Sequence, residues 1–414
     1  MLYKGIDGMA LDGMWLANRL RPYLPKPKEW PFWLLMVDVT PNPRPYAHTL
    51  KDRGMVYQAE VVKGKLPVTI GHEYSTVALG LEPEEGISSS WVLPLMSERV
   101  GTEQDKEMVG MAQIGKLLAD EKLPFGKELT VEVGDSSYSK PKSLYAHRSY
   151  PNVVTIARSR GNRIYYHQYL PSEAEVENRG KGHPRWYGER FALSDSESWT
   201  EPDESLTFQE TSRRGKEYTV EVQAWHNMLM NGKTKPVKLP MHQCPFTLVR
   251  IVRYDKKGNQ LFKKPLWLIV MGDRRDELTL THIYQAYAAR FDIEHFFRFG
   301  KQKLLMVAFQ TPEVKREENF FLLTHIAYAQ LWIARHLVHC LPRPWERNLP
   351  AMKQRLISPT LVQRDFGRII QHFGTPAQPP KPRIISPGRP KGTVLTKRTR
   401  HPVVVKSQIT PDSS

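Results

Sequence analysis

Two apolar runs in this chain each end on an aspartate, and that feature narrows the fold more than any other. Phe32–Val39 reads FWLLMVDV, and Leu129–Val133 continues into Gly134-Asp135 as LTVEVGD. Short continuous apolar runs bounded by turn residues are the pattern of strands buried inside a sheet. A carboxylate in such a setting is costly unless it is paired or bound to a metal. Asp38 and Asp135 are therefore candidate ligands. A simpler account stays open, because Asp is common in the turn that follows a strand.

The surrounding sequence predicts an α/β fold. Strand-like runs at Met55–Val62, Tyr74–Leu81 and Ser90–Leu95 precede a helical stretch, Thr102–Glu121, with Met108, Met111, Ile114, Leu117 and Leu118 on one side. Val153–Ala157 is another strand. Residues 161–245 change character, turning rich in Arg, Glu, Ser, Gly and Tyr with short alternating runs such as Glu217–Val222, and predict a β-rich insertion. Phe246–Tyr254 and Leu261–Met271 form a hairpin that returns to the core, and long helices are expected at Leu280–Met306 and Glu313–His339. Ser358 caps a helix that opens on Pro359 and stops at Gly374. The expected organisation is a short N-terminal segment (1–30), a core in two parts (31–160 and 246–345) around the insertion (161–245), and a C-terminal helix with a disordered basic tail (346–414).

Charge says what such a fold meets. The chain carries 60 Lys and Arg against 43 Asp and Glu, a net +17. That excess attracts polyanions, either nucleic acid or an anionic membrane surface. No apolar run reaches the length of a bilayer span, and the opening MLYKGIDGMALDGMWLANRL carries an Asp pair where a secretory signal needs an unbroken apolar stretch. Cys244 and Cys340 form no CxxC pair, and His242-x-Cys244 lacks partners at ligand spacing. The expectation is a cytoplasmic, nucleoid-associated protein with no membrane contact, no disulfide framework and no zinc knuckle.

The helix at Leu280–Met306 adds the third acid. Tyr287, Arg290, Glu294 and Lys301 follow the pattern Y-x2-R-x3-E-x6-K. At about 100° per residue these four project within roughly 60° of one another, a polar stripe on a helix otherwise filled with Phe291, Phe296, Phe297 and Phe299. Lys301 lies roughly 10 Å along the axis from Glu294, too far to share its ligand but within reach of a neighbouring phosphate. Arg290 and Glu294 also make an ordinary i,i+4 ion pair, the structural alternative for those two.

Y-x2-R-x3-E-x6-K resembles the third-carboxylate signature of a large group of bacterial insertion-sequence DDE transposases. MVDVT at Asp38 and VGDSSYSKPK at Asp135 resemble the stretches around the two earlier acids, and GHEYST (71–76) resembles a stretch after the first of them. The resemblance covers about residues 30–340. It implies an RNase H-like mixed sheet flanked by helices, with a β-rich insertion domain and, here, a helical, basic C-terminal region. It implies a catalytic triad of Asp38, Asp135 and Glu294 holding Mg²⁺, with Mn²⁺ as a substitute, and cleavage at transposon ends followed by strand transfer into target DNA. Tyr287, Arg290 and Lys301 would hold the DNA backbone. Double-stranded DNA is the implied partner, with a homodimer forming when two ends are paired.

The same resemblance offers an insertion Trp as a platform for a flipped base. Of Trp186, Trp199 and Trp225, Trp225 after the alternating strand is the candidate, although a Trp in a small β module is ordinarily core. Pro387-Gly388-Arg389-Pro390-Lys391-Gly392 resembles an AT-hook core, and a non-specific basic tail explains it more simply. Members of the group usually carry a helical DNA-binding domain before the first strand, and the thirty residues here are too few, so a shortened copy or an alternative start is expected. The rival functions are a non-catalytic or truncated DNA-binding derivative and an RNase H-like nuclease that cleaves without joining.

Overall fold

The computed structural model describes residues 6, 11, 13–58, 67–88, 90–171, 185–211, 215–232, 239–338, 356–374, 388, 390–394 and 396–405. A short helix α1 (Trp15–Leu20) is followed by strands β1 (Trp33–Pro43), β2 (Gly54–Tyr57), β3 (Val68–Gly80) and β4 (Val92–Val100), then helix α2 (Lys106–Ala119). Strand β5 (Thr130–Gly134), the short helix α3 (Pro141–Leu144) and β6 (Val153–Ser159) come next. Strands β7 (Ile164–Gln168), β8 (Tyr187–Ala192), β9 (Glu204–Thr211), β10 (Glu217–Leu229), β11 (Phe246–Tyr254) and β12 (Leu266–Met271) complete the sheet. Helices α4 (Leu280–Ala289), α5 (Phe291–Lys303), α6 (Val314–Ile333) and α7 (Pro359–Phe373) follow.

These twelve strands lie in one mixed sheet, ordered β2-β3-β1-β5-β6-β12-β11-β10-β7-β8, with β4 also on β3 and β9 on β10. Strand β1 runs parallel to β5, and β5 parallel to β6, while the remaining pairs are antiparallel. A mixed sheet with helices packed on it is compatible with an RNase H-like arrangement. The apolar run Trp33–Val37 is buried throughout, as a strand with neighbours on both edges and helices on its faces must be. β1 runs on past the expected end at Val39 to Pro43. Its pairing with β5 stops at Met36, so Pro41 and Pro43 sit where one edge needs no amide donor.

Residues 161–245 do not stand apart from the core. Strand β10 pairs with β11 from Thr219 to Trp225, and β12 joins β11 to β6, so the β-rich stretch continues the core sheet. A second apolar cluster joins it to the core strands, with Phe191 and Trp225 packed among Phe246 of β11 and Trp267 of β12.

The expected helix Leu280–Met306 is divided at Arg290, where the amide bonds back three residues to the Tyr287 carbonyl at 3.2 Å, as in a tighter turn. The next helix ends at Ile333 rather than His339 and passes into a single 3₁₀ turn. The C-terminal helix matches its expected caps, with Ser358 accepting from the Leu361 amide at 3.4 Å and Gly374 at φ +77° ending it.

The tail is not wholly disordered. His401 donates its amide to the His48 carbonyl and Val404 to the Arg53 carbonyl, each at 2.8 Å, and Val404 bridges Gly54 in parallel. Pro387 and Arg389 of the hook-like segment, and Cys340, lie outside the described residues. Among the described residues no helix is long and apolar enough to cross a membrane.

Candidate active site

Sheet register brings the two aspartates together. Met36 is the partner of Val133 in the parallel β1–β5 pair. Asp38 and Asp135 each lie two residues further on, beyond the last pair of that parallel ladder, Asp38 still in β1 opposite β3 and Asp135 just past the end of β5. The antiparallel partner of Asp38 is Thr76, which shares its face with Tyr74 and His72. Helices α5 and α6 cover it, with His325 against Thr76 and Glu317 against Tyr74. Glu294 lies on α5.

The electrostatics show that the three acids share one field. Burial pushes the Asp38 carboxyl up to about 6. The Val39 amide, 2.8 Å from Oδ1, and the Arg290 guanidinium work against that rise, while Asp135 and Glu294 add to it by repulsion. Asp135 also satisfies the simpler turn account, since its Oδ1 accepts from the Ser137 amide at 2.8 Å and the Ser137 hydroxyl at 2.6 Å.

Arg290 is the hub of the helix side. Its side chain is buried and donates from Nη2 to Glu294 Oε1 at 2.9 Å, while Glu294 is half exposed. The guanidinium lies 4.5 Å from the Phe291 ring centre and 5.6 Å from that of Tyr287, a cation held over aromatic faces. Tyr287 is buried, and its hydroxyl has no hydrogen-bond partner among the described residues. Burial draws the Lys301 ammonium below its usual range, and the Asp38 carboxylate partly restores it. The charges of Arg290, Glu294 and Lys301 thus act on or feel Asp38, and Arg290 and Tyr287 lie beneath the surface rather than on it.

Could these side chains hold a divalent cation? The donors are all carboxylate oxygens, the set that Mg²⁺ prefers, and the Asp38 carboxyl, raised by burial and to a lesser degree by Asp135 and Glu294, is one whose charged form a cation would stabilise. In that respect the residues fit. Among the described residues, however, no three His, Cys, Asp or Glu side chains stand close enough together to enclose an ion. Glu294 is engaged by Arg290 instead.

Trp225 does not face outward. It is only 2% exposed, packs against Phe191 and Trp267, and donates its indole N–H to the Thr200 carbonyl at 2.9 Å. A base cannot stack on it without opening the β10–β11 region, so the core account of this residue prevails. Sequence reasoning also missed Tyr138. Its ring is buried on the opposite face of the sheet from Asp38, and burial with the Asp38 and Asp135 carboxylates holds its hydroxyl far above the ordinary range. The signal was Gly134 in VGD, because a Cβ there would come 2.7 Å from Tyr138 Cβ and Cγ.

The histidines near the motifs are structural. His72 bridges Glu317 at 2.6 Å and the Lys51 carbonyl at 2.9 Å, and His147 bridges Glu132 at 2.6 Å and the Met111 carbonyl at 2.9 Å. His282 closes a capping box with Thr279 at the start of α4.

Comparison with known proteins bears on the first two acids. The family model described as DDE superfamily endonuclease matches residues 14–232, just over half of the chain. The match contains Asp38 and Asp135 and ends before Glu294. No curated protein matches.

Proposed function

The chain belongs to the DDE superfamily of endonucleases, and from that premise we propose that it is a DNA transposase acting at transposon ends and on target DNA. The observation that supports the proposal is the β1–β5 register, whose last pair, Met36 with Val133, lies two residues before Asp38 and two before Asp135. Asp38, Asp135 and Glu294 would hold Mg²⁺, or Mn²⁺ in its place. When bound, that ion supplies Lewis-acid stabilisation of a phosphoryl group and a more acidic water.

The protein's own residues do the remaining work. Arg290 holds the Glu294 carboxylate through one charged hydrogen bond and is itself fixed between two aromatic rings, so it is a positioning residue rather than a surface DNA contact. Lys301, within the field of Asp38, is the cation placed to meet a phosphate beside the site. The net positive charge steers duplex DNA toward the molecule. Pairing two ends on a homodimer accounts for the joining step, in which a freed 3′-OH attacks target DNA.

The engagement of Glu294 by Arg290 favours one alternative, a DNA-binding derivative that does not cleave. Incubation with Mg²⁺ and DNA bearing candidate ends separates the two. Nicked and joined products are expected, and Asp38→Ala, Asp135→Ala and Glu294→Ala should each abolish them while DNA binding persists. Normal cleavage by Glu294→Ala would remove that residue from the site. Binding without any product from the parent protein would establish the derivative.

A further inference from the structure

We propose that residues 398–404 are a strap whose docking on the sheet edge holds the basic tail in place as a contact surface for the DNA backbone. The inference rests on the DNA-dependent activity proposed above but concerns a surface outside the carboxylate site.

The strap is fastened at both ends and in the middle. Arg398 lies 3.7 Å from Glu313, just ahead of α6. His401 donates its amide to the His48 carbonyl and Val404 to the Arg53 carbonyl, so the tail lies along the start of β2 and makes a single parallel bridge to Gly54. Arg53 is built to receive it. Its side chain is only 1% exposed, and its guanidinium donates from Nη2 to the His401 carbonyl at 3.3 Å and from Nη1 to the Arg44 and Pro45 carbonyls. A buried arginine spent on three main-chain carbonyls, one of them from the tail, marks a dedicated seat rather than a chance contact.

What the seat accomplishes follows from the charges it carries. Lys397, Arg398 and Arg400 are exposed just before the seated residues, and Lys51 and Lys315 are exposed beside them. The neighbouring acids are already engaged, Asp52 with Arg99 and Glu318 with Arg99 and Lys315. Lys51, Lys397 and Arg400 stand along one seam with Arg398 and Lys315, whose ion pairs with Glu313 and Glu318 are solvent-exposed and weak enough to yield to phosphates. Seating the tail removes part of the ordering cost that a free basic arm must meet on binding. Each phosphate neutralised contributes about 0.9 to the slope of log K against log salt, so Lys397, Arg398 and Arg400 together account for roughly two to three of that slope.

Proline at a seated position removes the donated amide without changing charge. Val404→Pro and His401→Pro, each checked for an unchanged circular dichroism spectrum and urea midpoint, should speed trypsin cleavage after Arg398 about tenfold, and Val404→Pro, which leaves the Arg400–His401 bond cleavable, should do the same after Arg400. They should also weaken binding to a short duplex of arbitrary sequence about tenfold, with the salt slope unchanged. The triple variant Lys397→Ala/Arg398→Ala/Arg400→Ala should instead lower the slope by about two to three. Proline variants that bind as tightly as the parent, or a triple variant with the parental slope, would overturn the strap while leaving the transposase proposal standing. A parent protein that fails to bind duplex DNA at all would sink both.

Discussion

Removing the carboxylate of Glu317 should be among the most damaging single changes in the molecule. Its Oε2 receives Arg44 Nε at 2.7 Å, and its Oε1 receives His72 Nδ1 at 2.6 Å and the Tyr74 hydroxyl at 3.0 Å. The three ionisable side chains are between 0% and 2% exposed, so water cannot replace what is lost. Arg44 keeps its bond to the Phe309 carbonyl, which does not offset its positive charge, and His72 keeps its bond to the Lys51 carbonyl but loses its other partner. Breaking a buried pair from one side costs about 3–5 kcal/mol, and that is the loss expected in urea unfolding of Glu317→Ala. Glu317→Gln keeps the shape and should lose about 2 kcal/mol.

The pH dependence of the same site gives a second arm. Burial alone would raise the Glu317 carboxyl, but His72 and Arg44 outweigh it and hold the group below the usual carboxylate range. A depressed folded-state value means the stabilisation is fully present above the unfolded value of about 4.3, and is lost as pH falls through the lower folded one. The parent should therefore lose stability more steeply below about pH 4 than Glu317→Gln does. A Glu317→Ala protein within about 1 kcal/mol of the parent, or parallel acid profiles for parent and Glu317→Gln, would refute the argument.

Two further outcomes follow from packing. Gly134→Ala places a methyl 2.7 Å from Tyr138 Cβ and Cγ and should cost about 1–3 kcal/mol in urea unfolding, with reduced cleavage because Asp135 is the next residue; parental stability would mean that the Tyr138 turn gives way freely. Trp225→Phe should leave DNA affinity within about twofold and cost about 1–2 kcal/mol of stability, so a large loss of DNA affinity without loss of stability would restore Trp225 as a DNA contact.

The parts of the fold that were legible in the sequence are those fixed by local chemistry. FWLLMV announced a buried strand, and Ser358, Pro359 and Gly374 announced a helix with both ends. Neither the β1–β5 register nor the tail's seat beside β2 could be read, because each is a pairing between segments far apart in sequence. The division of the helix at Arg290 carries no Gly or Pro to mark it. Trp225 misled for a different reason. Alternation in β10 put Val220, Val222 and Ala224 on one buried face, and the other face is covered as well by the cluster of Phe191 and Trp267. A strand with both faces covered buries residues that alternation assigns to solvent. Of the candidate site, residue types and spacing were readable, while the burial of Tyr287 and Arg290 was not.

The unbroken sheet also constrains how this architecture can be shortened, by evolution or by the bench. Excising 161–245 would strip β11 of its β10 neighbour along Thr219–Trp225. A raw flank of amides and carbonyls would then face outward, inviting filaments rather than a smaller enzyme. Any compact descendant must re-clothe that flank with another segment, a helix or a companion subunit, before it can shed the domain's far side.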